Sequence, residues 1–440
     1  MARQLGHQVA ERTPSNATPV SSSLTPSRPS PRLIAMLILL ALSIFINYID
    51  RGNLGTAASL IKNELHLSAT QLGFLLTAIF ITYVPMSPVV GWLVDRFGGG
   101  PVLVAGFLIW SLATVLSGFA SSYAMLFALR SLLGVGESVS FPAVAHLVSE
   151  RVTQRYLGFA NGVTQSGISF GSAFGVFFGG VLIAEHGWRW LFIAFGLCGL
   201  IWLPAWLFVS GASERVRHKV DRADRPPLTL VLRERSFWGA ALAHFCGNYA
   251  LYFILTWIPY YLVHERHWAL QQMAVIAGVT YLLGGVGQNV WGRLADHFIA
   301  RGFSATVVRK TSCGIGAGGV ALCLIGCAYS GHTASAVWLM LTGVFGPCLS
   351  VNTYLIAQSI GGPEATGRWV GVQNMIANVA GLIAPALTGI LVDRTGSFTV
   401  PFLVVAIVTL AGGAAWIFLV GKIVRINWQQ LGAAPNAASA

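Results

Sequence analysis

Charged side chains are scarce in this chain of 440 residues. They make up 10% of it, against about 25% in an ordinary soluble protein. Hydrophobic residues make up 55%, and the mean hydropathy is +0.68. This composition excludes a water-soluble globular protein and predicts a chain that crosses a lipid bilayer several times.

Acidic residues and ligand-type cysteines are also few. The chain has 15 Asp and Glu against 27 Lys and Arg. Its six cysteines form no CxxC pair and no cysteine–histidine spacing typical of metal ligands, so we expect packed thiols and neither a metal nor another cofactor. No nucleophile, base and orienting group recur at a recognisable spacing, and an enzyme is therefore not expected.

Long apolar stretches are abundant. A membrane-spanning helix needs about 20 mainly apolar residues, and by this rule the sequence predicts an all-α membrane protein with twelve transmembrane helices. The predicted spans are 33–53, 69–94, 101–119, 123–148, 156–184, 189–209, 237–263, 270–294, 311–329, 334–358, 366–391 and 398–421. The flanking segments 1–32, rich in Pro, Ser and Thr, and 422–440 are predicted to be tails, the first of them disordered.

The basic residues divide unevenly between the two sides of the predicted membrane. One side holds only Lys62, Arg189, Arg266 and Arg394, and the tails and loops of the other side hold most of the rest. Because basic loops stay in the cytoplasm, both termini are predicted to be cytoplasmic in a cell inner (plasma) membrane. The net charge of +12 is thus a topology signal, and no nucleic-acid partner is expected.

A polar stretch at 210–236 divides the spans six and six. It predicts a cytoplasmic linker between two pseudo-symmetric six-helix bundles, 33–209 and 237–421.

A repeated motif supports this division. The second span is followed by Gly91-Trp-Leu-Val-Asp95-Arg96-Phe-Gly98, and the eighth by a related segment with Asp296 in the place of Asp95. An Asp-Arg pair in a tight cytoplasmic turn can cap a helix and contact a neighbour. The motif therefore predicts a contact that stabilises one conformation of the bundle.

Four charges interrupt the apolar stretches: Asp50, Arg51, Arg130 and Glu137. A charge at membrane depth costs about 2.5–3.5 kcal/mol on insertion scales, and such residues usually face a bundle interior, pair with each other and mark an ion or substrate path. Arg130 and Glu137 are seven residues apart and share one helix face. Two acids and two arginines are suited to carrying an anion together with a proton.

Twelve spans, a central linker and the GWLVDRFG motif resemble the major facilitator superfamily, over residues 33–421. The copy here departs from the usual pattern, because Gly99 and Gly100 stand where basic residues are common. The segments NYIDRGNL (47–54) and RSLLGVGESVSFPA (130–143) resemble, more narrowly, the anion:cation symporter family. That family includes carriers of galactonate, glucarate, hexuronates, phthalate and tartrate.

The resemblance implies roles for the four charges. Arg51 would bind the substrate carboxylate through its guanidinium fork, unless it is an interfacial arginine that extends outward. Asp50 and Glu137 would carry protons, because a low-dielectric site disfavours a charged carboxylate. Arg130 would tune the proton site, unless it forms a purely structural pair with Glu137.

Other polar residues in the spans are candidates for substrate contact. In the first half they are Tyr48, Tyr83 and Gln165, and in the second half Tyr252, Trp257, Asn352, Asn374 and Asn378. Hydrogen bonding between helices is the alternative explanation for buried amides and hydroxyls. The remainder would suit a ligand with several hydroxyl groups.

These observations predict a proton-coupled symporter that imports a sugar acid (a hexonate, glucarate or hexuronate) by rocker-switch alternating access. The partners expected are a small organic anion, protons and the bilayer, with the carrier a monomer. An importer of aromatic or small dicarboxylic acids is the nearest alternative, and a nutrient sensor is a remote one. Sodium in place of the proton stays open.

Overall fold

A computed structural model describes residues 30–152, 157–210, 226–428 and 430. Most of the predicted tails and linker lies outside these residues. The described chain is almost entirely helical, and its helices in chain order are α1 (Pro31–Glu64), α2 (Ala69–Phe97), α3 (Gly99–Ser117), α4 (Tyr123–Glu137), α5 (Ser140–Arg151), α6 (Leu157–His186), α7 (Trp188–Ser210), α8 (Leu228–Arg233), α9 (Arg235–His264), α10 (Leu270–Ala300), α11 (Ala305–Tyr329), α12 (His332–Asn378), α13 (Ala380–Thr395) and α14 (Thr399–Ala414), with a π-helical turn at Ala415–Leu419.

The predicted all-α membrane fold is confirmed, because 12 helical segments are long and apolar enough to cross a bilayer. Helices predominate because the hydrocarbon core offers no water to backbone N–H and C=O groups, which must therefore bond within the segment. Helix ends carry the expected signals. Ser68 and Gln71 form a capping box at the start of α2, and Gly98 ends the same helix with a positive φ of 84°.

Several predicted boundaries were wrong. The first span was predicted to end at 53, but α1 continues to Glu64, which places Arg51 near the middle of the helix and not one turn from its end. The fourth span is broken after Glu137 into α4 and α5. The predicted division between the tenth and eleventh spans is confirmed, because α12 is interrupted at Gly362, where φ is 64°. Hydrophobicity marks the part of a helix inside the hydrocarbon and does not mark where the hydrogen-bond ladder stops.

The predicted Asp-Arg turn was also wrong in its secondary structure. Gly91, Asp95 and Arg96 lie within α2, and Asp296 lies within α10. The turn proper begins only at Gly98. The side chain of Asp95 is outside the described set, so its predicted contact stays a prediction.

Short connections make consecutive spanning helices antiparallel, and the bundle therefore has two distinct ends. We call them the α1–α2 end, which holds the turn at 65–68, and the α2–α3 end, which holds Gly98. The two six-span halves meet mainly along three helix pairs: α1 with α9, α2 with α13, and α6 with α10. Together these pairs form the seam between the halves. The α1–α9 pair places the charged residues of α1 next to the second half.

Candidate functional site

The four charged residues predicted from the sequence lie inside the protein. Asp50 is 1% exposed, Arg51 4%, Arg130 3% and Glu137 0%. Arg51 and Asp50 come from the middle of α1, and Glu137 is the last residue of α4. Buried charges require partners, and their contacts define the site.

Arg51 and Glu137 form a buried ion pair. Nε of Arg51 lies 2.9 Å from Oε2 of Glu137. Two glycines of α4 allow the approach: a Cβ on Gly134 would lie 2.0 Å from the carbonyl oxygen of Ile79, and one on Gly136 would lie 2.6 Å from the backbone nitrogen of Trp110. Helix α4 therefore packs backbone to backbone against α2 and α3, and its last residue reaches α1.

Three aromatic rings surround the guanidinium of Arg51. Its Cζ lies 4.8 Å from the ring centroid of Tyr83, 5.2 Å from that of Tyr48 and 5.8 Å from that of Phe80. A ring face attracts a cation most strongly where water is excluded. Tyr48 and Tyr83 were predicted to line the site, and the structure places both of them against Arg51.

Arg51 also reaches the second half. Its Nη1 donates to the hydroxyl oxygen of Tyr252 at 3.3 Å, and that hydroxyl donates to Oδ1 of Asn378 at 2.6 Å. The helices that carry Arg51 and Tyr252 cross closely one turn away, where a Cβ on Gly55 would lie 2.6 Å from the carbonyl oxygen of Leu255. The charged cluster therefore lies at the seam between the halves.

The second pair of charges is arranged differently. Arg130 Nη1 donates to the backbone carbonyl oxygen of Asp50 at 3.3 Å, and Oδ1 of Asp50 accepts from Nδ2 of Asn53 at 3.1 Å. Arg130 thus holds α1 through its backbone, whereas the ion pair of Glu137 is with Arg51. The contact places Arg130 beside Asp50, and its predicted tuning of the proton site stays a prediction.

Several buried polar atoms of this cluster have no hydrogen-bond partner within the described part of the chain. They are Arg51 Nη2, Arg130 Nε, Asn47 Oδ1, Asn53 Oδ1, Asp50 Oδ2 and Glu137 Oε1. Buried polar groups are normally paired with protein or with ordered water. Arg51 Nη2 is therefore a donor without an acceptor in this cluster, and its predicted bond to a substrate oxygen stays a prediction.

Asn47, Asn53 and Phe80 were not predicted as site residues. Helical spacing could have identified the two asparagines, because Asn53 follows Asp50 by three positions and Asn47 precedes Arg51 by four. Phe80 gave no such signal, because its role depends on how α2 packs against α1.

A cavity of about 10 Å³ lies beside Arg51, which is about the space that one water molecule needs. It is lined by Arg51, Leu76, Ile79, Phe80, Arg130, Tyr252, Leu255 and Thr256. No organic acid fits this space. A ligand larger than water cannot occupy this cavity in the conformation described.

The other predicted contacts of the second half fall into two groups. Asn374 accepts a hydrogen bond from Tyr354 at 3.0 Å and lies one turn before Asn378, so it extends the polar path from Tyr252. Trp257 and Asn352 lie apart from Arg51: the indole of Trp257 donates to the carbonyl of Pro385, and Asn352 donates to Ser312 and to the carbonyl of Cys348. These contacts are those of helix packing.

Gln165 and the residues of the repeated motif complete the predicted set. The side chain of Gln165 is outside the described set. Gly91, Arg96 and Asp296 belong to the α2–α3 end of the bundle.

Comparison with known proteins gives one family match. A family model with the description Major Facilitator Superfamily matches residues 40–340. The fold is similar to that of a bacterial homologue of the human lysosomal transporter Spinster, solved in an inward-facing and occupied conformation. That similarity has a TM-score of 0.70 at 18% identity and covers 94% of this chain and 96% of the other.

Two curated proteins are similar over most of their length. The "Probable sulfoacetate transporter" of Cupriavidus necator is 31% identical over 400 residues, which are 87% of this chain and 93% of the relative. The hexuronate transporter of Bacillus subtilis is 31% identical over 398 residues, covering 87% and 92%. Both are transporters of organic anions.

Proposed function

Because this chain belongs to the Major Facilitator Superfamily, and is therefore a membrane transporter and not an enzyme, we propose that it is a proton-coupled symporter that imports a sugar acid by rocker-switch alternating access. The observation that carries the proposal is the buried Arg51–Glu137 pair at the seam between the halves, with Nη2 of Arg51 left free.

Competition for Arg51 would couple the two fluxes. A buried guanidinium without a counter-charge is strongly unfavourable, since removing one partner of a buried pair costs about 3–5 kcal/mol. Glu137 supplies the counter-charge when the site is empty. When Glu137 takes up a proton, the carboxylate of the substrate can replace the Glu137 carboxylate on Arg51. Release of either carboxylate from Arg51 favours return of the other.

Asp50 would be the second proton carrier. It lies next to Arg51 in the chain, and its carboxylate is held by Asn53 while Arg130 holds its backbone. These contacts support a role for Arg130 and Asn53 as positioning residues around Asp50.

A substrate with several hydroxyl groups suits the second half. The polar path Tyr252–Asn378–Asn374–Tyr354 begins at Arg51 and offers hydroxyls, amides and carbonyls. A carboxylate on Arg51 would place a sugar chain along this path. Similarity to the hexuronate transporter supports the same substrate class.

A small dianion is the second candidate. The sulfoacetate transporter of C. necator is as similar to this chain as the hexuronate transporter is. The sulfonate or second carboxylate of such a substrate would require a cation besides Arg51. Arg130, which lines the same cavity and has a free Nε, is the residue that could supply it.

The membrane orientation is part of the proposal. The basic loops support placing both termini and the α2–α3 end in the cytoplasm. The α1–α2 end would then face outward. We also propose that the carrier acts as a monomer.

A thermal-shift screen of the purified carrier tests the substrate class. A ligand that binds only the native state raises the melting temperature by mass action, and the screen would compare hexuronates, hexonates, sulfoacetate and phthalate at pH about 5.5 and about 8. We expect stabilisation by a hexuronate or hexonate, stronger at the lower pH. Stabilisation by sulfoacetate or phthalate alone would assign the dianion class, and no stabilisation by any of these acids would contradict both assignments.

A further inference from the structure

A carboxylate of the second half caps a helix of the first half. Oδ1 of Asp393 accepts from the backbone N–H of Ala69 at 2.8 Å, and Oδ2 accepts from that of Thr70 at 2.6 Å. Ala69 and Thr70 are the first two residues of α2, whereas Asp393 lies in the last turn of α13. The first N–H groups of a helix lack intrahelical acceptors and carry the positive end of the helix dipole. Asp393 satisfies two of them across the seam.

Two glycines bring these helices together. A Cβ on Gly389 would lie 2.3 Å from the carbonyl oxygen of Ala69, and one on Gly73 would lie 2.6 Å from the carbonyl oxygen of Pro385. Helices α2 and α13 are therefore in backbone contact one turn before Asp393. Small residues at such a crossing permit close packing in a membrane. Here they bring the carboxylate of Asp393 within hydrogen-bond distance of Ala69 and Thr70.

The local sequence repeats a motif already seen twice. Gly389-Ile-Leu-Val-Asp393-Arg394-Thr-Gly396 has the Gly, Asp, Arg and final Gly of the segment Gly91–Gly98 at the same spacing. Gly396, like Gly98, has a positive φ, of 67°. The earlier copies in α2 and α10 lie at the α2–α3 end, and this copy lies at the opposite end.

We propose that Asp393 is the latch that keeps the α1–α2 end closed. Helix α2 carries Phe80 and Tyr83, which pack on the guanidinium of Arg51. The latch therefore holds this part of the Arg51 site against the second half, and it must break when the α1–α2 end opens. Asp393 is a positioning residue for the conformational change, and the proposal requires two conformations but no particular substrate.

Glu265 is a matched control. It accepts at 2.8 Å from the backbone N–H of Phe398, the residue immediately before α14 at the same end of the bundle, but both residues belong to the second half. Replacing either carboxylate removes a side-chain acceptor of backbone N–H groups where a helix begins. Only the replacement of Asp393 removes a contact between the halves.

Distance measurements between two spin labels test the latch without any transport assay. Labels at Asn63 and Val400, both exposed at the α1–α2 end, would report its opening in the full-length carrier in lipid nanodiscs. Cys198 is exposed and would be replaced by Ser, whereas the other five cysteines are buried and can stay. Loss of a helix cap shifts an equilibrium about fivefold. We expect Asp393→Ala to raise the ratio of long to short distances by about this factor and Glu265→Ala to leave it unchanged.

A second variant provides an independent route to the same state. Gly389→Ala would force α2 and α13 apart and should also raise the population of long distances, with Asp393 intact. The proposal is overturned if Asp393→Ala gives the distance distribution of the unchanged chain, or if Glu265→Ala opens the end as much as Asp393→Ala does. Asp393→Asn keeps one side-chain acceptor, so its ratio of long to short distances should lie between those of the unchanged chain and of Asp393→Ala.

Discussion

Arg51 on α1 and Tyr252 on α9 are joined by a hydrogen bond of 3.3 Å from Nη1 to the phenol oxygen. The same guanidinium binds Glu137 through Nε, and the same hydroxyl donates to Asn378. A single side chain thus contacts a carboxylate of its own half and a polar path of the other half. Any change in what Arg51 binds alters the hydrogen bonding of both.

Removing the hydroxyl of Tyr252 should weaken substrate binding. In Tyr252→Phe, Nη1 of Arg51 and Oδ1 of Asn378 lose a partner in a buried site, and a hydrogen bond to a charged group contributes about 1.5–3 kcal/mol. We expect the KM for uptake into proteoliposomes to rise by about tenfold or more. Tyr261→Phe is the control, because its hydroxyl bonds within the second half, to the carbonyl of Cys327. An equal rise in KM for the control would contradict the role of Tyr252.

The close packing of α4 should be visible in stability. Gly134→Ala places a Cβ 2.0 Å from the carbonyl oxygen of Ile79, and overpacking of this kind costs about 1–3 kcal/mol. We expect a lower melting temperature and weaker uptake, because Glu137 follows on the same helix. In Gly318→Ala the new Cβ has open space, so the melting temperature should stay the same or rise with the better helix propensity. If both variants melted at the wild-type temperature, the close contact of α4 with α2 would be refuted.

The sequence predicted the architecture well because its signals are local. Apolar length identified all twelve spans, and the cost of an intramembrane charge singled out Asp50, Arg51, Arg130 and Glu137. Where each helix ends was predicted less well. Helix α1 continues eleven residues beyond the predicted boundary at 53, because its polar segment Asp50–Asn53 is buried in the bundle and does not interrupt the helix.

The sequence did not predict which of the buried charged residues contact each other. Arg130 and Glu137 share a face of one helical stretch, yet Glu137 pairs with Arg51, and Arg130 bonds the backbone of Asp50. That choice depends on the register between α1 and α4, which Gly134 and Gly136 set through close approach to other helices. The latch at Asp393 is hidden for a similar reason, since it requires the packing of α2 against α13.

The shape of the Arg51 side chain should matter as well as its charge. Its guanidinium binds Glu137 through Nε and Tyr252 through Nη1 at the same time. A lysine ammonium is a single point charge and cannot keep this planar arrangement. We expect Arg51→Lys to lower kcat/KM for uptake by about tenfold or more. Arg189→Lys alters an exposed pair with Glu64 at the α1–α2 end and should leave uptake near the wild-type rate; an Arg51→Lys carrier with wild-type uptake would show that charge alone suffices.

Glu137 should be required for uphill transport but not for exchange. Glu137→Gln keeps the size of the side chain and one oxygen for the Nε hydrogen bond of Arg51. The amide carries no charge and cannot bind and release a proton. Arg51 then has no carboxylate to return to when substrate leaves, so the substrate-free carrier should reorient slowly. We expect uptake driven by a pH gradient to be lost in proteoliposomes, while counterflow of labelled against unlabelled substrate continues at a rate close to that of the wild type. Wild-type accumulation by Glu137→Gln would exclude Glu137 as a coupling residue, whereas loss of counterflow as well would assign it to substrate binding.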